Sequence, residues 1–185
     1  PGTSGWDIDG LRSYRYSGSG PTSLAWDTIA WPITDWEPYN DRAQGATVAA
    51  FPIADVRMRC NIEPDTANCQ VTATITTRQH ELQVVLGNGK ATLQMRAVSA
   101  SGSTSPWTEL DSRDFQGLAP GRATPVEFWH ADQAMYVFID GKRMLSGAYD
   151  WDPAERLEQS TGQPFDRLRY SSRGGMDRRT LADPD

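Results

Sequence analysis

Residues 31–41 read WPITDWEPYND, crowding Trp31, Trp36 and Tyr39 against Asp35, Glu37, Asn40 and Asp41. Aromatic rings beside carboxylates and amides are the material of a sugar-binding surface or a glycosidase cleft. The rings offer apolar faces and the polar groups take hydroxyls. Pro32 and Pro38 fix their own φ and push Trp31 and Glu37 toward extended backbone, so the stretch is expected to be a stiff corner. Asp35 and Asn40 then serve the backbone of that corner, with the aromatics as core or rim. Trp31, Trp36, Tyr39, Asp35 and Asn40 remain the candidate binding set, with ligand contact as the second reading.

Material for catalysis is thin. A serine nucleophile needs a base within reach, and the chain has 2 histidines, His80 and His130, with neither G-x-S-x-G nor S-x-x-K. His130 alternates with Phe128 and Val126, which reads as a strand histidine, buried or at an edge. His80 opens a strand after TTRQ and reads as surface. Glycoside hydrolysis needs two carboxylates across a cleft, and the E-x-D-x-x-E spacing of sandwich glucanases is absent. Glu109 and Asp111 come closest, two apart and so expected on one strand face. Asp7 and Asp9, like Asp150 and Asp152, form D-x-D pairs without the continuation of a calcium loop and read as solvated turns. No catalytic residue, metal or cofactor is expected.

A net charge of -6 and an isoelectric point near 4.9 exclude the basic platforms that hold nucleic acid or an anionic membrane. Arg167, Arg169, Arg173, Arg178 and Arg179 form a local basic end, read as solvated strand and tail, with docking of an acidic neighbour as the alternative. No apolar run approaches the roughly 18 residues of a membrane helix, so this segment is expected to be soluble.

The elements that must position any site are strands. The chain has 7 Trp, 6 Tyr and 5 Phe for a core, with 16 Gly and 12 Pro for turns. That is the balance of an all-β protein. Alternation over ADVRMRCNI puts Val56, Met58, Cys60 and Ile62 on one face of a first strand, and over CQVTATITTR puts Cys69, Val71, Ala73 and Ile75 on one face of a second, with both cysteines on the same side. NIEPDTAN lies between them as a loop, so a hairpin is expected. Cys60 and Cys69 then oppose each other near its open end and are expected to form a disulfide in an oxidising compartment, over the alternative of two free buried thiols. A second hairpin pairs Leu82, Val84 and Leu86 with Leu93, Met95 and Ala97 across Gly87-Asn88-Gly89-Lys90. WTELDS is a strand, and PVEFWHADQAMYVFIDGKRMLSG holds three more, with Asp140-Gly141 as a turn. LRSYRYS and FDRLRYSS read as strands, and DPAERLEQS as a helical turn or two. The expectation is an all-β antiparallel β-sandwich, a concanavalin A-like jelly roll with little helix, as a single domain over 1–176 with a flexible end at 177–185.

Taken in order, GWDIDGLRSYRY, AWDTIAWPITDWEPYND, IADVRMRCNI, HELQVVLGNGKATLQM and VEFWHADQAMYVFIDGKRM resemble the extracytoplasmic insert of planctomycete-type signal peptidase I proteins. Ile33, Thr34, Asp35, Tyr39 and Asn40 match its "ItDxxxYN" segment, and Ile139, Asp140, Gly141 and Lys142 its "DG" hairpin. The resemblance implies a laminin G-like or concanavalin A-like sandwich inserted into a membrane-anchored serine endopeptidase that removes signal peptides. Its Ser/Lys dyad would lie outside this chain, because Lys142 falls in a β-turn and no S-M-x-P occurs. The implied role is a non-catalytic accessory domain on the periplasmic side of the cytoplasmic membrane, meeting a protein substrate or envelope component. The alternative is a lectin-like module that binds a glycan.

Overall fold

The computed structural model describes residues 5–10, 12–31, 33–35, 51–52, 55–77, 79–87, 89–99 and 102–155. The chain divides into two compact units, Pro1–Ile53 and Ala54–Asp185.

In the first unit, β1 (Trp6–Asp9) and β2 (Ser13–Tyr16) form an antiparallel hairpin, and β3 (Thr34–Asp35) pairs with β4 (Phe51–Pro52). Trp6 opposes Tyr16 with ring centroids 5.2 Å apart, and the Trp6 indole N–H donates to Thr22 Oγ1 at 2.7 Å. Cross-strand aromatic pairing of this kind is what holds so short a ribbon.

The second unit holds β5 (Val56–Ile62), β6 (Val71–Thr77), β7 (His80–Gly87), β8 (Lys90–Ala97), β9 (Thr108–Asp114), β10 (Thr124–Ala131), β11 (Ala134–Ile139) and β12 (Lys142–Ala148). They make two four-stranded antiparallel sheets, ordered β12-β11-β10-β5 and β6-β7-β8-β9. Alternating side chains of both sheets meet in one core. Leu82, Val84, Leu86, Ala91 and Leu93 from one sheet pack with Val126, Phe128, Met135, Val137 and Leu145 from the other. Complete burial of a ring such as Phe128 contributes about 1.5–3 kcal/mol. The antiparallel β-sandwich expected from the sequence is the architecture found, and helix among the described residues is confined to 153–155. The sandwich strands span 56–148; the expected strand at 165–172 lies outside the described residues, as do the expected tail at 177–185 and the basic end at 167–179.

Turn chemistry sets the hairpins. Asp140 and Gly141 both take positive φ, 51° and 73°, as the two-residue turn between β11 and β12 requires for the strand twist. Asp132 (φ 49°) and Gln133 (φ 62°) make the corresponding turn between β10 and β11 without a glycine. The expected β7–β8 hairpin is present, but its turn is tighter than expected: Gly87 pairs with Lys90, so Val84 stands opposite Leu93 and Leu82 opposite Met95, while Leu86 faces Ala91 and Ala97 faces His80.

The expected hairpin between β5 and β6 is not. β5 pairs with β10, placing Met58 against Phe128 and Arg59 against Glu127, while β6 pairs with β7 in the other sheet. Alternation gives a strand its faces but not its neighbour. β10 offers β5 apolar partners inside and a carboxylate outside for its arginines, so the 63–70 segment crosses between sheets. The disulfide is corrected for the same reason: Cys60 lies in β5, Cys69 just before β6 of the other sheet, and both are free thiols, Cys60 exposed and Cys69 half-buried.

The sheets close together along β9 and β12. Each of these edge strands carries a bulge, at Leu110 opposite Leu93/Gln94 and at Met144 opposite Val137/Phe138. The Ser146 N–H donates to Asp111 Oδ2 at 3.0 Å across the seam. A Cβ added at Gly147 would stand 2.8 Å from Leu110 Cβ, so this position needs glycine for the close approach. A bent and internally bonded edge is a poor template for pairing with another chain.

Candidate functional site

Of the sequence-derived set, Trp31 and Asp35 are among the described residues. Trp31 is 70% exposed, its N–H donating to Asp27 O at 2.8 Å and its carbonyl accepting the Trp26 indole N–H at 2.6 Å. Asp27 Oδ1 accepts from the Ile29 and Ala30 amides, both at 3.0 Å, so the turn preceding Trp31 is stapled by an aspartate. Asp35 lies in β3, and Trp36, Tyr39 and Asn40 are outside the described residues.

Glu109 and Asp111 are separated by the Leu110 bulge. Asp111 stands opposite the buried Leu93 and serves the seam, while Glu109 stands opposite Gln94 on the outward face. The period-2 expectation of one shared face fails because the extra residue shifts the phase by one. Hydrogen bonding from the Ser112 hydroxyl, then from Lys90, holds the Glu109 carboxyl below the usual carboxylate range. An acid so stabilised in its charged form is a poor proton donor.

Both histidines come together instead. His130, 3% exposed, bonds through Nε2 to the Tyr149 hydroxyl at 2.9 Å, and His80, 9% exposed, lies with its ring 5.4 Å from Tyr149 and edge-on 5.0 Å from Trp151. His130 is a strand histidine as expected, and of the two settings left open, buried or at an edge, it takes the buried one; His80, expected at the surface, is buried too. Its phase with Leu82, Val84 and Leu86 along β7 carried that information, and the polar stretch before it obscured the pattern. Gln133 holds the 149–151 segment in place: its carbonyl accepts from Tyr149 N at 3.0 Å and its Oε1 from Trp151 N at 2.7 Å.

Of this cluster, His80 and Trp151 line a groove of about 340 Å³ that is bounded also by Gln79, Ala97–Ser99, Ser103–Ser105 and Glu155. Its outer wall is a small hairpin extending β8, in which Val98 pairs with Thr104 and the Ser99 and Ser103 hydroxyls bond at 2.6 Å. Gln79 takes φ 63° in the tight turn between β6 and β7, where Thr77 opposes His80. Asp152 Oδ1 accepts from Ala154 N at 2.7 Å and so starts the helical turn that carries Glu155 to the rim.

The two outward sheet faces differ in chemistry. On β6–β9, Thr74, Gln83 and Gln94 form a hydrogen-bonded row, with Gln83 donating to Thr74 at 3.0 Å and Gln94 to Gln83 at 2.8 Å. Beside it Arg96 donates to Glu81 at 2.6 Å and lies 4.4 Å over the Trp107 ring. On β5/β10–β12, Glu127 accepts from Arg57 Nη2 at 2.9 Å and from the Trp129 indole at 2.8 Å, with Arg59 at 3.6 Å. Partial burial pushes the Glu127 carboxyl up, but the indole and Arg57 hydrogen bonds and the charges of Arg57 and Arg59 outweigh it and hold it below its ordinary value.

Among the described residues no group of three or more His, Cys, Asp or Glu side chains is placed to hold a metal ion, and no helix is long and apolar enough to cross a membrane.

No family model matches the sequence, and no curated protein matches it. Among solved structures, sheep galectin-11 in complex with glycerol superposes with a TM-score of 0.37 at 14% identity, over 53% of this chain and 73% of that chain. A likeness at that level carries no argument about function, and none of these findings connects the chain with signal peptidase I.

Proposed function

We propose that the sandwich is a non-catalytic binding module and that the groove between the 97–105 hairpin and Trp151–Glu155 receives a short hydroxyl-rich ligand, a saccharide being the chemistry that suits it best. The observation behind this is the groove's lining, which joins the His80 and Trp151 rings with Ser99, Ser103, Thr104, Ser105 and Glu155. Its volume of about 340 Å³ falls at the lower end of small-ligand sites. Among the described residues the lining holds one acid, Glu155, without an opposed partner for bond cleavage, so binding is the reading supported.

Titrating neutral and acidic oligosaccharides into the protein by calorimetry, with tryptophan fluorescence in parallel, tests this. A saturable heat with a fluorescence change that Trp151→Phe removes supports the site. Absence of saturable heat across the panel eliminates it.

The finer reading, an accessory domain outside the cytoplasmic membrane in a signal peptidase I, is supported by the order of sequence motifs alone. Its Asp140-Gly141 turn is the commonest kind of hairpin chemistry and adds little. The complete reading frame decides the matter: a Ser/Lys dyad and a membrane anchor must flank this segment, or that reading is dropped.

A further inference from the structure

The outward face of β5/β10–β12 is unlike a solvated sheet face. Rows of cross-strand neighbours place Arg57, Trp129 and Tyr136 side by side, and next to them Arg59, Glu127, Phe138 and Arg143. Trp129, Tyr136 and Phe138 are half-buried, and the Trp129 and Phe138 rings meet at 4.9 Å and 41°. The guanidinium of Arg57 lies 4.8 Å over the Trp129 ring. Arg57 and Arg59 keep 52% and 65% of their side-chain surface exposed, and Arg143 forms no ion pair with any described residue. One carboxylate, Glu127, serves this set, so the face is net positive on a chain whose net charge is -6.

We propose that this face docks a carboxylate-rich polypeptide segment of a partner protein. Three features point to that occupant. Excess guanidinium on an otherwise acidic molecule steers negatively charged partners to this face, because like charge elsewhere repels them. Trp, Tyr and Arg together are the side chains that dominate the energy of protein interfaces. The Trp129 ring is already engaged, by Arg57 over it and by tilted contact with Phe138, so these two rings and the arginine forks do not make an open stacking platform for sugar rings or bases. Arg59 and Arg143 end one row across four strands, about 14 Å apart at the usual strand spacing. An extended acidic segment can bridge that span and place carboxylates on both while its stem packs on Phe138. This surface is independent of the groove and of its ligand.

The probe is fluorescein-labelled poly-L-glutamate, followed by fluorescence anisotropy with the full 185-residue chain. Saturable binding that weakens as sodium chloride is raised, and weakens about tenfold further in the Arg59→Gln/Arg143→Gln double variant, supports the proposal. Arg15→Gln, an exposed arginine of β2, should leave it unchanged. Should the double variant lose its folded circular dichroism spectrum, Tyr136→Ser replaces it, removing apolar contact while keeping every charge, and about threefold weakening is expected. The proposal is overturned by absence of saturable binding, by equal loss in Arg15→Gln, or by no loss in either face variant. Tighter binding of a heparin oligosaccharide that the same variants abolish also overturns it, in favour of a polyanionic glycan.

Discussion

The two outward faces of the sandwich cover one core yet follow opposite rules. On β6–β9 the side chains satisfy one another: Thr74, Gln83 and Gln94 form a chain of neutral hydrogen bonds, and Arg96 and Glu81 balance in charge. On β5/β10–β12 the arginines outnumber the acid that holds them, and rings half-emerge between them. A face whose polar groups are mutually paired gains little from any further partner, because each new contact must first replace an existing one. A face with surplus charge and partly exposed rings gains from both electrostatics and burial. The difference teaches that solvation and docking are legible from how completely a surface satisfies itself, not from how polar it is.

The widest break in this comparison removes what the faces share. Phe128 is fully buried at the centre of β10, between strands that carry both arginine rows. Phe128→Ala should cost about 3–5 kcal/mol, read as a lowered urea midpoint, and both faces should be lost in one transition. Two separated transitions would show that the sheets hold their faces independently. At the seam, Gly147→Val drives a side chain into Leu110 and should cost about 1–3 kcal/mol by overpacking. A variant as stable as the parent would mean that β9 and β12 do not approach as closely as described.

These positions also show what a sequence carries and what it withholds. Strand existence in the second unit was readable, because alternation over 56–62, 80–87, 90–97 and 124–148 is a property of each strand alone. The Asp140-Gly141 turn was readable for the same local reason. The choice of neighbouring strand was not: β5 chooses β10 through cross-strand contacts between residues about 70 apart, Arg57 with Glu127 among them. The Leu110 bulge was invisible too, since an inserted residue leaves the composition of TELDSRD unchanged while reversing the side to which Glu109 points. The groove was missed for a related reason. Its walls come from the β6–β7 turn, the 97–105 hairpin and the 149–155 segment, and no short motif unites them. The aromatic and acidic stretch at 31–41 drew attention because it is contiguous, whereas the face at Trp129, Tyr136 and Phe138 is assembled from alternate residues of separate strands.

A milder test exploits a symmetry between the faces. Each carries a carboxyl held below its ordinary value of 4.5, Glu109 on one and Glu127 on the other. A lowered folded pKa means that the charged form is favoured by folding. That stability is complete above pH 4.5 and is lost as pH falls through the folded value. The urea midpoint should therefore decline on acidification below that point. Glu127→Gln should flatten the decline more than Glu109→Gln, because the Glu127 side chain is 16% exposed and Glu109 50%, where solvent screens its partners. The reverse order would place the electrostatic weight on the wrong face.

The smallest effect belongs to the thiols, which sit one per sheet, Cys60 on β5 and Cys69 just before β6. A bridge between them would tie the 63–70 crossover closed and tether the two sheets, stabilising the fold by roughly 3 kcal/mol for a loop of about ten residues. With both free, dithiothreitol should leave the urea midpoint unchanged, and Ellman titration of the unfolded protein should count the same thiols before and after reduction. Cys60→Ser should likewise shift stability by about 0.5 kcal/mol at most, as expected of an exposed side chain. A midpoint that drops on reduction would bring the cysteines within bonding distance. A bond to Cys69 would pull on Cys60, which stands opposite Val126 in the register that sets Arg59 against Glu127. The same result would thus count against the arginine face, and reduction tests the pairing of β5 with β10 from the side opposite to the docking experiment.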